Sequence, residues 1–189
     1  MKKILAAIYS VYVGALFFTC LTVMLILYVP LLLIRDDRLR MRIIYVINKV
    51  FLRWIWSTLA GIWIRVEGRE KIKADKTYAF VCNHSNMLDI PFTASCIEHY
   101  YKPLVKKEMM SIPVMGPMLR MTSIGVDRGN AESRRKTAET MFRSMKNGMS
   151  LLIFPEGTRT RPGTLPHFSR GFANIAILTA SPIQSVFIG

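Results

Sequence analysis

The sequence predicts an α/β protein: a partly parallel sheet flanked by helices, with an N-terminal hydrophobic membrane-anchoring helix or helical hairpin. Three observations support this prediction. Residues 4–34 contain no charged side chain. From Trp63 onward, short apolar runs alternate with stretches of helical periodicity. Two of the apolar runs end in polar motifs, at residues 83–89 and 154–159.

The composition indicates a partner with an anionic surface. The 189 residues suffice for one ordinary domain and an appendage, 51% of them are hydrophobic, and the net charge is +14. Nucleic acid and lipid headgroups both fit such a charge, but the long apolar segment favours lipid over nucleic acid. A solvated basic surface with no partner is the simpler alternative. The three cysteines have neither a metal-ligand spacing nor an even count, which favours a reducing compartment.

The N-terminal apolar segment is longer than one membrane crossing requires. As a single helix it would measure about 46 Å at ~1.5 Å per residue, against a hydrocarbon core of ~30 Å. It therefore forms either one tilted span or a hairpin that bends near Gly14 or Pro30 and re-enters. A cleaved signal peptide is disfavoured, because the run is long and lacks a small-x-small cleavage site.

Basic residues flank the apolar segment on both sides. Lys2 and Lys3 precede it and arginines follow it, so the positive-inside rule gives no clean orientation, although two cytoplasmic ends, as in a re-entrant hairpin, would satisfy it. We expect an inner or cytoplasmic membrane, with the α/β domain on the cytoplasmic face. The stretch 41–64 mixes basic and apolar residues and predicts an amphipathic helix at the interface; a basic-faced helix packed on the domain is the alternative. Residues 1–62 are thus assigned to the anchor and 63–189 to the α/β domain.

The elements of the α/β domain follow from the apolar runs. Strands are predicted at 63–67, 77–82, 103–105, 123–127, 150–154 and 183–188. Helices are predicted at 89–98, 131–147 and 170–179. Ligands of such sheets gather at the carboxyl ends of the strands, which is where both polar motifs lie.

The first motif pairs an imidazole with a carboxylate. His84 precedes Asp89, which opens a predicted helix, so the chain can fold back until the carboxylate meets one ring nitrogen. The other nitrogen is then free to act as a general base. Each residue also has a simpler explanation, because Asp89 can cap the helix and His84 can be a histidine with a satisfied hydrogen bond in the core or a loop. The spacing of the three histidines matches no metal site.

The second motif offers groups that bind an anion. After Phe154-Pro155-Glu156, Gly157 permits a tight turn and Thr158 and Arg159 offer a hydroxyl and a planar guanidinium suited to phosphate. Arg128 and Lys106 follow other predicted strands and can converge on the same ligand. The simpler alternative is local ion pairing of Arg159 with Glu156 and of Arg128 with Asp127.

These motifs resemble those of the glycerolipid acyltransferase family, whose best-known members convert lysophosphatidic acid to phosphatidic acid. The resemblance covers residues 63–188. The His-x4-Asp block of the family is similar to His84–Asp89, and its Phe-Pro-Glu-Gly-Thr-Arg block is matched in full by Phe154–Arg159. Residues 122–128 and 182–186 are similar to two further blocks. The His-x4-Asp block and the Phe-Pro-Glu-Gly-Thr-Arg block together make the resemblance highly specific.

The resemblance implies a membrane-bound O-acyltransferase of phospholipid biosynthesis. His84 would deprotonate the sn-2 hydroxyl of 1-acylglycerol 3-phosphate, which attacks an acyl thioester of CoA or acyl carrier protein, and Asp89 would orient His84. The acceptor's phosphate and glycerol would be held by residues of the later blocks: Arg128, Glu156, Gly157, Thr158 and Arg159. Lys106, at the end of another predicted strand, is a further candidate for this role. The implied partners are a lysophospholipid acceptor, an acyl thioester donor and membrane lipids, with no metal and no cofactor; the sequence leaves the oligomeric state open.

Other readings stay open at this point. The acceptor could instead be glycerol 3-phosphate, a lyso-ornithine lipid or another lysophospholipid. A catalytically silent lipid-binding relative is a second alternative, because relatives usually continue beyond the position of Gly189 and this domain could be C-terminally short. A hydrolase is disfavoured, since no serine or cysteine stands in a nucleophile pattern.

Overall fold

The structure is a computed structural model that describes residues 2–86, 88–127, 129–157 and 168–189. It begins with helix α1, Lys2–Tyr28, which continues into a 3₁₀ turn at Val29–Leu33. Helix α2, Asp37–Thr58, follows and is capped by the Asp36 carboxylate. Within the described residues, Lys2–Leu33 is the one run long and apolar enough to cross a membrane. The helix continues through Gly14, one of the two predicted bend positions.

Helices α1 and α2 are antiparallel neighbours. The Tyr9 hydroxyl donates to the Ala60 carbonyl at 2.7 Å, and the Tyr12 hydroxyl donates to the Leu59 carbonyl at 2.8 Å. At the other end of α1, Tyr28 is hydrogen-bonded to Asn48 in the middle of α2. The start of α1 therefore lies beside the end of α2, as in a helical hairpin.

Helix α2 has apolar residues on two faces. One face is buried, and its Trp56 ring meets the Phe92 ring edge-on at 5.3 Å between centroids. The other face exposes Val46, Val50 and Trp54 at helical spacing. The helix is thus packed on the domain, as one alternative from the sequence states, and also keeps the apolar outer stripe that an interfacial helix requires.

The core of the domain is a five-stranded sheet of order β3-β2-β4-β1-β5. Its strands are β1 Ala79–Cys82, β2 Tyr101–Lys106, β3 Ile124–Val126, β4 Ser150–Ile153 and β5 Ile183–Val186. Every adjacent pair is parallel; Phe80, for example, lies opposite Leu152 on one side and Gln184 on the other. The prediction of an α/β fold with a parallel sheet is confirmed.

Helices cover both faces of the sheet. They are α3 Asp89–Cys96, α4 Met115–Thr122, α5 Ala131–Lys146 and α6 Gly171–Thr179. Helices α5 and α6 pack on the face that presents Ala79, Leu151 and Ile153. The opposite face presents Phe80 and Leu152, and beyond it α1 to α4 share a second apolar cluster. Alternate residues of each strand therefore enter different cores, as the pleat requires.

Two features of the fold differ from the sequence expectations. The predicted strand at 63–67 is irregular, although its exposure alternates. Ile62 and Ile64 pack on the apolar cluster shared by α1 to α4, and the segment pairs with no strand among the described residues. Helix α4 has no counterpart among the predicted helices. Its first turn contains Gly116 and Pro117, which favour loops in a sequence but are tolerated where the backbone N–H groups need no helical partner.

Gly116 lies against a 3₁₀ turn at Lys107–Ser111 that follows β2. A Cβ built on Gly116 would lie 2.3 Å from the Met110 carbonyl oxygen, a distance that forces the backbone to move. We expect Gly116→Ala to lower stability by about 1–3 kcal/mol through overpacking. Gly14→Ala is the matched control, since a Cβ there meets nothing within 4 Å. Thermal unfolding followed by circular dichroism in detergent should show a lower midpoint for Gly116→Ala alone; equal midpoints would contradict the packing argument.

Candidate active site

The topology of the sheet predicts a ligand-binding crevice between β1 and β4. The two strands are adjacent, but the chain leaves β1 into α3 on one face and leaves β4 toward α6 on the other. Where neighbouring connections diverge in this way, an open parallel sheet has a cleft at its carboxyl edge. His84 follows β1 and Glu156 follows β4, so the two sequence motifs meet at this cleft.

His84 and Asp89 form a hydrogen-bonded pair at the mouth of the cleft. The Nδ1 atom of His84 lies 2.9 Å from Oδ2 of Asp89. The Asp89 side chain is 2% exposed, whereas the His84 side chain is 19% exposed. The carboxylate is therefore shielded from water while the imidazole keeps access to the cleft.

The environment of Asp89 determines which nitrogen of His84 carries the proton. Oδ2 of Asp89 also accepts hydrogen bonds from the backbone N–H groups of Ser85 at 2.7 Å and Asn86 at 2.8 Å. A carboxylate used in this way accepts only, so Nδ1 of His84 is the donor toward it. The Nε2 atom then carries the lone pair of the neutral ring. The helix-capping explanation of Asp89 is wrong, because the N-cap of α3 is Leu88 and Asp89 turns back to the preceding loop.

The second motif supports the loop that carries His84. The backbone N–H of His84 donates to Oε1 of Glu156 at 3.3 Å. The ring of Phe154 lies against the imidazole, with 4.5 Å between centroids. Residues Phe154–Gly157 form a turn closed by the Gly157 N–H on the Phe154 carbonyl at 3.0 Å. The positive φ of 69° at Gly157 explains the glycine, since other residues rarely adopt it.

Several of the expected anion-binding residues lie outside the described part of the chain. Arg128, Thr158 and Arg159 belong to this group, and their predicted contacts with a substrate stay predictions. Lys106 ends β2 at the same edge of the sheet and is well exposed, with Nζ 3.8 Å from Glu108. Asp127, which the sequence alternative paired with Arg128, contacts Lys107 at 2.9 Å.

One residue beside the pair has no role in the sequence analysis. Asn83 makes two side-chain hydrogen bonds with the backbone of Ile188, far along the chain. Its partner could not be found from the sequence, since nothing local to Asn83 indicates Ile188.

Within the described residues, no group of three or more His, Cys, Asp or Glu side chains is arranged to hold a metal ion.

The structure places a histidine–aspartate pair at the carboxyl edge of a parallel sheet and adds an N-terminal pair of helices, the first of which is apolar. The family to which such a chain belongs follows from its sequence. A family model described as Acyltransferase matches residues 63–189, and the chain belongs to that family.

Known relatives agree with this assignment. The chain is similar to the 1-acyl-sn-glycerol-3-phosphate acyltransferase of Cocos nucifera, with 33% identity over 134 residues, 70% of this chain and 42% of that protein. A protein of that name from Pseudomonas aeruginosa is 29% identical over 141 residues, 72% of this chain and 53% of that protein. The chain thus spans about half the length of the curated relatives it matches.

A solved structure shows the same fold. The crystal structure of the 1-acyl-sn-glycerophosphate acyltransferase PlsC from Thermotoga maritima matches with a TM-score of 0.74 and 22% identity. The match covers 97% of this chain and 73% of that one. It extends over the N-terminal helices as well as the sheet.

Cys82 ends β1 next to the pair, but its surroundings make it a poor nucleophile. Its side chain is 1% exposed. Burial, reinforced by the negative charges of Asp89 and Glu156, raises the pKa of the Cys82 thiol to about 12. The thiol is therefore protonated at neutral pH, and the thiolate that attack on a carbonyl requires is not formed.

We accordingly expect Cys82 of the folded protein to resist alkylation by iodoacetamide at neutral pH and to react after denaturation. Mass spectrometry of peptides from protein treated in the two states measures this directly. Cys96, which is less buried, serves as the internal comparison. Rapid modification of Cys82 in the folded protein would contradict the assignment.

Proposed function

We propose that this chain is a membrane-bound O-acyltransferase. It transfers a fatty acyl group from an acyl thioester, acyl-CoA or acyl carrier protein, to the free sn-2 hydroxyl of 1-acylglycerol 3-phosphate, and the product is phosphatidic acid. The family and the names of the relatives support the substrate class. The contact between His84 Nδ1 and Asp89 Oδ2 is the single observation that supports the chemistry.

In this proposal His84 acts as the general base. Its Nε2 accepts the proton of the acceptor hydroxyl, and the hydroxyl oxygen attacks the thioester carbonyl carbon. The tetrahedral intermediate collapses with loss of the thiolate, which takes the proton back from the imidazolium. Asp89 stabilises the imidazolium and holds the ring in position. A base of this kind commonly contributes about 10²–10⁴ in rate.

The acceptor phosphate is assigned to the cations of the second motif and its neighbours. Arg159 and Arg128 supply guanidinium groups, Thr158 supplies a hydroxyl, and Lys106 supplies an ammonium group at the same edge of the sheet. The backbone N–H groups of His84, Ser85, Asn86 and Gly157 donate to protein acceptors. Because these N–H groups already donate to protein acceptors, other donors of the site must stabilise the oxyanion of the tetrahedral intermediate.

The membrane assignment follows from α1 and from the outer stripe of α2. Both present apolar side chains to the outside of the protein. Basic residues lie on both flanks of α1, an arrangement that satisfies the positive-inside rule where both ends of the segment stay on the cytoplasmic side with the catalytic domain. A lysophospholipid acceptor lies in that surface, so the membrane-anchoring segment also brings the site to its substrate.

The proposal is tested with purified protein, labelled acyl-CoA and a panel of acceptors: 1-acylglycerol 3-phosphate, glycerol 3-phosphate, a lyso-ornithine lipid and a zwitterionic lysophospholipid. We expect labelled phosphatidic acid with the first acceptor at the highest kcat/KM. His84→Ala should lower kcat by about 10²–10⁴. Repetition with acyl carrier protein thioester identifies the preferred donor.

Ser85→Ala is the matched control for His84→Ala. The Ser85 side chain is exposed, and the hydrogen bond described for this residue is donated by its backbone N–H. Replacement of the side chain should therefore leave turnover unchanged. Full turnover by His84→Ala would remove His84 from the role of base. A different preferred acceptor would correct the substrate, and loss of thioester to water without any acylated product would favour a hydrolase.

A second prediction concerns the phosphate. Arg159→Ala should raise the acceptor KM by about 10- to 100-fold, since hydrogen bonds to charged groups contribute ~1.5–3 kcal/mol each, and should leave the donor KM unchanged. Arg135→Ala is the control, because Arg135 is an exposed cation of α5 paired with Glu132 and Glu139. An effect on the donor KM alone would contradict the assignment of Arg159 to the acceptor phosphate.

A further inference from the structure

The side chain of Asn83 extends the sheet beyond the ends of two strands. Backbone pairing between β1 and β5 ends at Cys82 opposite Val186. Beyond that point, Nδ2 of Asn83 donates to the Ile188 carbonyl at 2.9 Å, and the Ile188 N–H donates to Oδ1 of Asn83 at 2.8 Å. A side-chain amide has the same donor and acceptor as a peptide group, so it replaces the next step of the ladder.

The same bonds complete a series of anchors on the loop before α3. Asn83 is tied to the segment after β5, His84 N–H to Glu156 after β4, and the N–H groups of Ser85 and Asn86 to Asp89 at the start of α3. Four successive residues are thus fixed to three different elements. Of these four anchors, only that of Asn83 reaches the segment after β5, and β5 is the neighbour of β1 on the side away from β4.

We propose that Asn83 is a positioning residue for His84, and that the segment after β5 is part of the support of the base. This inference rests on the proposed function, because it concerns the step in which His84 takes the proton. Asn83 precedes His84 directly, so loss of its two bonds frees the backbone on one side of the imidazole. A catalytic base displaced by about 1 Å can lose about 10²-fold in rate.

The contact requires both a donor and an acceptor. An apolar side chain would leave the Ile188 N–H and carbonyl without these partners. A carboxylate would accept from the N–H but would face the carbonyl oxygen without a proton to donate. A protonated carboxyl group has one donor and one acceptor and would restore both bonds. The pH response of Asn83→Asp therefore reports on the contact itself.

The first arm of the test is Asn83→Ala. We expect kcat to fall by about 10- to 100-fold, with both KM values changed by less than about twofold, because the base is displaced while the substrate contacts remain. Gln184→Ala is the control, since this β5 residue makes its side-chain hydrogen bond within its own strand. Circular dichroism and a thermal scan give the folded fraction, and kcat is expressed per folded molecule. An unchanged kcat per folded molecule would overturn the inference.

The second arm is Asn83→Asp across a range of pH. The Cys82 thiol lies 3.9 Å from Oδ1 of Asn83, the imidazole of His84 belongs to the next residue, and the carboxylates of Asp89 and Glu156 act on the adjacent Cys82. Burial and the charges of Asp89 and Glu156 raise the pKa of the Cys82 thiol, and we expect the introduced carboxyl beside it to have a raised pKa for the same reasons. The kcat of Asn83→Asp relative to the wild type should therefore rise as the pH falls, whereas the ratio for Asn83→Ala should stay flat. Equal pH dependence of the two ratios would overturn the inference.

A measurement without substrate separates this inference from the proposed function. Protein labelled with ¹⁵N-histidine has three imidazole spin systems, and His84→Ala assigns one of them. We expect the His84 signals of the wild type to show the Nδ1–H tautomer, and those of Asn83→Ala to broaden or shift toward a tautomer mixture. Unchanged His84 signals would overturn the inference even if activity fell. A wild type without acyl transfer, but with the expected spectra, would instead count against the proposed function alone.

Discussion

The arrangement of the site depends on one buried carboxylate. Oδ2 of Asp89 accepts from the imidazole of His84 and from two successive backbone N–H groups, while the side chain is almost inaccessible to water. Removal of an anion from water is costly unless hydrogen bonds replace its hydration. These three donors provide the replacement, and they come from the loop that must hold the histidine. The burial of Asp89 and the position of His84 are therefore stabilised by the same contacts.

The parallel sheet brings the parts of this site together. His84 and Glu156 are far apart in the sequence, but they follow adjacent strands, and parallel strands end at a common edge. The Glu156 carboxylate then reaches the backbone of His84. A change in the order of β1 and β4 would remove this contact while leaving both motifs intact in the sequence.

Most of the fold was accessible from the sequence because its elements depend on local patterns. The α5 prediction succeeded since its apolar positions recur at helical spacing and Gly148 follows its end; the structure adds that the Asn130 side chain caps its start. The strand predicted at 63–67 was wrong because alternation indicates an extended chain but not a partner. Helix α4 was missed because glycine and proline in a first turn look like loop residues.

The contacts of the site also divide into local ones, which the sequence predicts, and long-range ones, which it does not. The meeting of His84 and Asp89 was predictable because only a short loop separates them. The contacts of Asn83 with Ile188 and of Phe154 with His84 were not, because they depend on strand order and register. The sequence supplies the chemical groups, and long-range pairing decides which of them touch.

Glu156 shows why that distinction matters for function. From the motif alone it was expected to hold the acceptor, but a carboxylate close to a phosphate is repelled by it, and the repulsion is strong where water is excluded. In the structure one of its oxygens accepts from the backbone of His84. The contact that the structure shows for Glu156 is therefore one that holds the loop of His84 in place, and it is made with the protein's own backbone.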